Sequence, residues 1–84
     1  MIYYEWDIET VDEHGDIIDH DFIDAPRLPA KENERLVLVF NKGDDNEGLL
    51  DRSWAYVIDG KLPEEFENGR RVPKRFHEQL EELR

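Results

Sequence analysis

The stretch Ile2-Tyr3-Tyr4-Glu5-Trp6-Asp7-Ile8-Glu9-Thr10-Val11 alternates, with Ile2, Tyr4, Trp6 and Ile8 at even positions and Glu5, Asp7 and Glu9 at odd ones. A period of two is the pattern of a half-buried strand. The alternation pauses at Asp12-Glu13-His14-Gly15-Asp16 and resumes with Ile18, His20 and Phe22 even and Asp19 and Asp21 odd. Gly15 suits the positive-φ position of a three-residue hairpin loop, Glu13-His14-Gly15. If Asp12 faces Asp16, Trp6 comes opposite Phe22 and Ile8 opposite His20, so both apolar rows share one face. Glu9 then faces Asp19 and Asp7 faces Asp21 on the other side, with Glu5 extending the row. The pattern predicts an acidic N-terminal hairpin over residues 2–24.

Outward from the hairpin, residues 24–34 contain two prolines and read as an irregular connection. Leu36-Val37-Leu38-Val39-Phe40 is an unbroken apolar run of strand length, suited to the sheet interior. Strands are expected near 35–41 and 53–59, separated by the polar loop Asn41 to Gly48, with Trp54, Tyr56 and Ile58 on one side of the later strand. Pro63-Glu64-Glu65 opens a short helical turn over 63–68, closed by Asn68-Gly69. Over 73–84, Phe76, Leu80 and Leu83 fall at i, i+4 and i+7, the stripe of an amphipathic helix. The expected fold is α+β: a four-stranded antiparallel sheet in the order ββββα, with the C-terminal helix packed on one face.

The chain of 84 residues has the size of one domain, so its core must draw on nearly every large apolar residue. There is no cysteine, which excludes disulfides, thiolate metal sites and a thiol nucleophile. No apolar run approaches the roughly 20 residues of a membrane helix. The start Met1-Ile2-Tyr3-Tyr4-Glu5 lacks the basic opening of a signal peptide. A cytoplasmic location is expected, without membrane association.

Charge is the strongest compositional signal. The 22 acids and 11 bases give a net charge of −11. Nine of those acids and no Lys or Arg lie within residues 1–26. Such a surface repels nucleic acid and attracts basic protein. Disorder is not the explanation, since the same stretch carries Tyr3, Tyr4, Trp6 and Phe22.

In the in-phase register, opposed carboxylates destabilise the pair by a few tenths to about 1 kcal/mol each. Folding alone does not favour that arrangement. Five carboxylates would cover a patch roughly 14 Å long, against about eight charges on duplex DNA of that length. The small size, the charge, the lack of cysteine and the acidic strands resemble the DNA-mimic inhibitors that phages and prophages direct against restriction or CRISPR machinery. That resemblance is one of charge character, over residues 5–21. It implies a cytoplasmic inhibitor, acting in the host cell if phage-encoded, whose partner is a basic DNA-binding protein or CRISPR–Cas complex.

The expected partner-binding residues are Glu5, Asp7, Glu9, Asp12, Glu13, Asp16, Asp19 and Asp21. The chain is expected to act as a monomer or weak dimer, without enzyme activity, cofactor, metal or direct nucleic-acid binding. The alternative is a small adaptor or antitoxin-like module that grips a basic protein by other contacts.

Motifs that suggest chemistry are weaker. Trp6-Asp7-Ile8-Glu9-Thr10 resembles the first motif of the DEDD exonucleases, where Asp and Glu two apart hold metal ions, but the further acids and the domain size of that family are missing. Asp59-Gly60-Lys61 fits a nuclease D-x-K fragment and is better explained as a hairpin turn. Asp44-Asp45-Asn46-Glu47-Gly48 departs from a calcium loop in its glycine and its closing acid. His14, His20 and His77 show no paired ligand spacing, and His20 has the parity of the core row. Ser53 lacks a nucleophile elbow. Arg70-Arg71-Val72-Pro73-Lys74-Arg75 reads as a solvated helix entrance, set against the helix dipole.

Overall fold

The computed structural model describes residues 2–44 and 49–83, and only the backbone of residues 44, 49 and 50. Strands β1 (Ile2–Val11), β2 (Ile17–Ile23), β3 (Glu34–Asp44) and β4 (Leu49–Tyr56) precede helix α1 (Lys74–Glu81). The strands form one antiparallel sheet in the order β2-β1-β3-β4. This is the α+β architecture that the periodicity predicts.

The hairpin turn is built as its residues suggest. The Asp12 N–H donates to the Asp16 carbonyl at 2.9 Å and the Gly15 N–H to the Asp12 carbonyl at 3.0 Å. Asp12 Oδ1 accepts the N–H groups of His14 and Asp16, fastening the loop with its own side chain. Gly15 has φ +85°, a conformation that costs glycine little.

Beyond the turn the register departs from the in-phase reading. Val11 pairs with Ile17, but Thr10 pairs with Asp19, so Ile18 is an extra residue in β2. From that bulge onward every β2 side chain is on the face opposite to the expected one. Glu9 now faces His20 and Asp7 faces Phe22, while Ile8 faces Asp21 and Trp6 faces Ile23. The opposed pairs Asp7/Asp21 and Glu9/Asp19 do not form, which removes the like-charge repulsion they would carry. Ile18 and Phe22, expected in the core row, are 63% and 57% exposed. His20 also leaves that row, and Ile23 packs against the core instead.

One face of the sheet carries the core. Trp6, Ile8, Leu36, Leu38, Phe40 and Ala55 meet Leu62, Phe66, Val72, Phe76 and Leu80 from the C-terminal segment and α1. Phe40 makes ring contacts with Tyr4 at 5.4 Å and Phe66 at 5.6 Å, and Phe76 with Tyr4 at 5.0 Å. Arg70 lies 4.7 Å over the Phe40 ring, and Arg75 lies 4.7 Å over Phe76 and 5.3 Å over Tyr4. Each such cation–ring contact is worth about 0.5–1 kcal/mol at an exposed site. Two members of the basic cluster therefore roof the aromatic core, which offsets their poor position at the helix N-terminus.

Four elements differ from the sequence reading. β3 runs on to Asp44 through the segment expected as a polar loop, paired with Leu49 to Tyr56. The strand expected near 53–59 accordingly begins and ends earlier. Residues 45–48 of the calcium-like segment lie outside the described residues. No helical turn forms over 63–68, because its backbone groups pair outside the segment. The Phe66 N–H donates to Arg70, the Glu67 N–H to Trp54 and the Val72 N–H to Glu64. Burial of Leu62 and Phe66 against the sheet overrides the local helix signal. Helix α1 is shorter than 73–84, starting after Pro73 and burying Phe76 and Leu80.

The connection from β2 to β3 is held by Glu34. Its Oε2 accepts from Arg27 and its Oε1 from the Ala30 N–H, both at 3.2 Å. The Arg27 guanidinium holds the Glu34 carboxyl below the usual carboxylate range.

Candidate functional site

The second face of the sheet has no helix over it. Cross-strand pairing places Phe22 and His20 of β2, Glu5, Asp7 and Glu9 of β1, Val37 and Val39 of β3, and Trp54 and Tyr56 of β4 on this face. Trp54 and Phe22 are 40% and 57% exposed. Between them the chain forms a shallow cup of about 230 Å³, lined by Glu9, Ile17, His20, Val37, Val39, Arg52, Trp54 and Tyr56.

The carboxylates of Asp7 and Glu9 on this face are not the solvated row that alternation implies. Asp7 is 1% exposed and Glu9 7%. Their neighbours on the bare face are large enough to shield them, and β1 is an interior strand with both edges paired. Asp7 is well satisfied. His20 Nδ1 lies 2.8 Å from its Oδ2 and donates in the matching tautomer, and the Asp21 N–H donates to Oδ1 at 3.2 Å.

Glu9 is satisfied on one side alone. The Tyr56 hydroxyl hydrogen-bonds to its carboxylate, and burial together with that bond pushes the Tyr56 phenol up from its usual range. Glu9 Oε1 is excluded from solvent and has no hydrogen-bond partner. A buried acceptor left in that state costs about 1–3 kcal/mol, and more when it is charged.

Among the described residues no Lys or Arg forms an ion pair with Asp7 or Glu9. One ligating atom each from Asp7, Glu9 and His20 lie within 4.8 Å of one another. Two ionised carboxylates at that separation repel by roughly 3 kcal/mol at an effective dielectric of about 20. Among the described residues the counter-group paired with them is His20, hydrogen-bonded to Asp7, and its side chain is 46% exposed.

The remaining predicted site residues are dispersed. Glu5 is half-buried, and its Oε1 accepts from Asn41 at 3.1 Å. Asp12 serves the turn. Glu13, Asp16, Asp19, Asp21 and also Asp24 are exposed on the hairpin tip and along the edge strand β2. Asp19 and Asp21 share their face with Thr10 and Ile8, opposite to Asp7 and Glu9. The eight residues thus do not form one carboxylate face.

The other motifs resolve into structure. Ser53 is buried, and its Oγ accepts the Asn68 N–H at 3.3 Å. Asp59 and Gly60 have φ of 54° and 76° in a two-residue hairpin closed by Ile58 and Lys61, the turn that Asp59-Gly60-Lys61 predicts. Among the described residues no helix is long and apolar enough to cross a membrane.

Compared with family models, with characterised proteins and with solved structures, the chain matches none.

Proposed function

We propose that this chain is a non-catalytic acidic module that binds a basic protein through its edge strand β2 and the hairpin tip. The observation that carries this reading is the exposure of β2 along its length, save for half-buried Ile23, with Ile17, Ile18 and Phe22 open among Asp16, Asp19, Asp21 and Asp24. An edge strand presents unpaired backbone groups to any partner strand. Carboxylates steer a cationic surface to it, and the three apolar side chains supply area that a charged rim alone lacks.

The spacing of charge favours this over close imitation of a duplex. From Asp16 to Asp24 the strand runs roughly 27 Å with four carboxylates, about one per 7 Å, whereas duplex DNA carries one per about 1.7 Å. The resemblance to inhibitors of restriction and CRISPR machinery narrows the proposal to a basic surface that ordinarily holds DNA. It draws its support from the absence of Lys and Arg in residues 1–26.

Affinity capture from a bacterial lysate at low and high salt, with wild type and the Asp16→Lys/Asp19→Lys/Asp21→Lys variant, tests both levels. A partner held at low salt and released by the triple variant supports the module. Competition by added duplex DNA supports the narrower reading. Capture that is indifferent to salt and to charge reversal, with the fold intact, refutes the proposal.

A further inference from the structure

We infer that Asp7, Glu9 and His20 form a binding site for one divalent transition-metal ion, of the Zn²⁺ class, beside the cup that Glu9 and His20 line. The inference does not rest on the partner proposed above, although the two surfaces adjoin at Ile17 and His20 of β2.

Geometry supplies the first argument. Glu9 and His20 are direct cross-strand partners and Asp7 is two residues along β1, so all three side chains leave the same face. Their ligating atoms lie within 4.8 Å of one another. Asp7 Oδ2 and His20 Nδ1 are 2.8 Å apart. Two ligands sharing one ion at bonds of about 2.0–2.1 Å stand roughly 2.9–3.3 Å apart. An ion can therefore take the place of the proton between Asp7 and His20 with a shift of a few tenths of an ångström. The Nδ1 proton is displaced: a neutral ring takes it up at Nε2 and an imidazolium releases one proton to solvent, so that neutral imidazole is the ligand in either case.

The second argument comes from Glu9. Its side chain is 7% exposed, and Oε1 has no donor, on the same carboxylate that faces Asp7 and His20. Two carboxylates kept from water call for a cation, and among the described residues neither has a Lys or Arg in ion-pair contact. An ion at this point satisfies the orphan oxygen and cancels the charge together.

Donor chemistry selects the ion. One imidazole and two carboxylates suit Zn²⁺ and its first-row neighbours, while Ca²⁺ and Mg²⁺ prefer oxygen alone. Three protein ligands leave an open coordination position. Two of the three, Glu9 and His20, line the cup together with Arg52 and Trp54. Sequence spacing gives no sign of this site, because only the Ile18 bulge brings His20 to the carboxylates.

Calorimetric titration of the metal-free chain with Zn²⁺ tests the inference, with His20→Ala and Glu9→Gln as site variants and His14→Ala/His77→Ala as the control. The expected result is one ion per chain, with affinity lowered at least about tenfold in each site variant and unchanged within about twofold in the control. Circular dichroism establishes that the variants fold. Should His20→Ala lose structure, Glu9→Gln, which preserves side-chain size, decides the matter. No saturable binding, a stoichiometry above one, or equal affinity in the folded site variants overturns the assignment.

Discussion

Glu9 and His20 face each other across β1 and β2 because Ile18 adds one residue to β2 between the turn and the ladder. Were Ile18 paired in the ladder instead of bulged, the alternation that begins at the turn would set Glu9 against Asp19 and turn His20 to the core side. The bulge converts two like-charge pairs into a carboxylate–imidazole pair and a carboxylate–phenyl pair. It also gives the bare face of the sheet a half-exposed histidine beside two buried acids.

Deleting Ile18 is therefore expected to leave the pairing of Glu9 with His20 intact. Ile18 is the unpaired, 63% exposed residue, and its loss removes the bulge without altering the pairs on either side. Stability should change by about 1 kcal/mol or less. Nuclear Overhauser contacts between the His20 ring and β1 side chains check the register, and they vanish if His20 has moved to the core side.

Asp7→Ala removes the acceptor of the His20 ring and the Asp21 N–H at once. The cost should be about 2–4 kcal/mol, a large part of the stability of so small a domain. Urea unfolding measures it, and a loss below half a kilocalorie per mole, on the order of a surface substitution, would mean that this buried acid holds nothing together.

Glu9→Gln acts in the opposite direction in the absence of metal. The amide keeps the volume and a partner for Tyr56 while removing one of two adjacent buried charges. A neutral effect or a gain of up to about 1 kcal/mol is expected. The same variant should lose the rise in melting temperature that Zn²⁺ brings to the wild type. The two measurements together separate a charge that folding tolerates from one that an ion requires.

Alkaline pH should weaken the fold through Tyr56. Burial and the Glu9 carboxylate raise its phenol above the ordinary value of 10.0. A folded pKa above the unfolded one means that the contribution is complete below the unfolded value and is lost as pH rises through the folded one. Urea midpoints should be level between about pH 8 and 9 and fall beyond about pH 10. In Tyr56→Phe the part of that fall due to this phenol should be absent.

Phe76→Ala should cost about 3–5 kcal/mol by leaving a cavity against Tyr4 and Trp6. Loss of helical circular dichroism before the sheet signal would show α1 lifting from the face it covers. Coincident loss would show that helix and sheet form one cooperative unit.

Much of the architecture was legible in the residues themselves. The alternation over 2–11, the apolar run 36–40 and the stripe Phe76, Leu80, Leu83 depend on local periodicity, and each became the element it predicts. Asp59-Gly60 and Gly15 declared their turns through the backbone angles they alone adopt cheaply. The helical signal of 63–68 failed because the Phe66 N–H turns to Arg70 and the Glu67 N–H to Trp54 of β4.

Net charge, its concentration in the first 26 residues and the freedom from cysteine belonged to the sequence from the start, since none depends on how the chain folds. Which acids meet water was decided by the tertiary structure alone. A single inserted residue reverses the facing of a strand, and no periodicity announces where a ladder will absorb one. The burial of Asp7 and Glu9 likewise arises from side chains on three other strands, whose arrival beside them is a property of the assembled sheet.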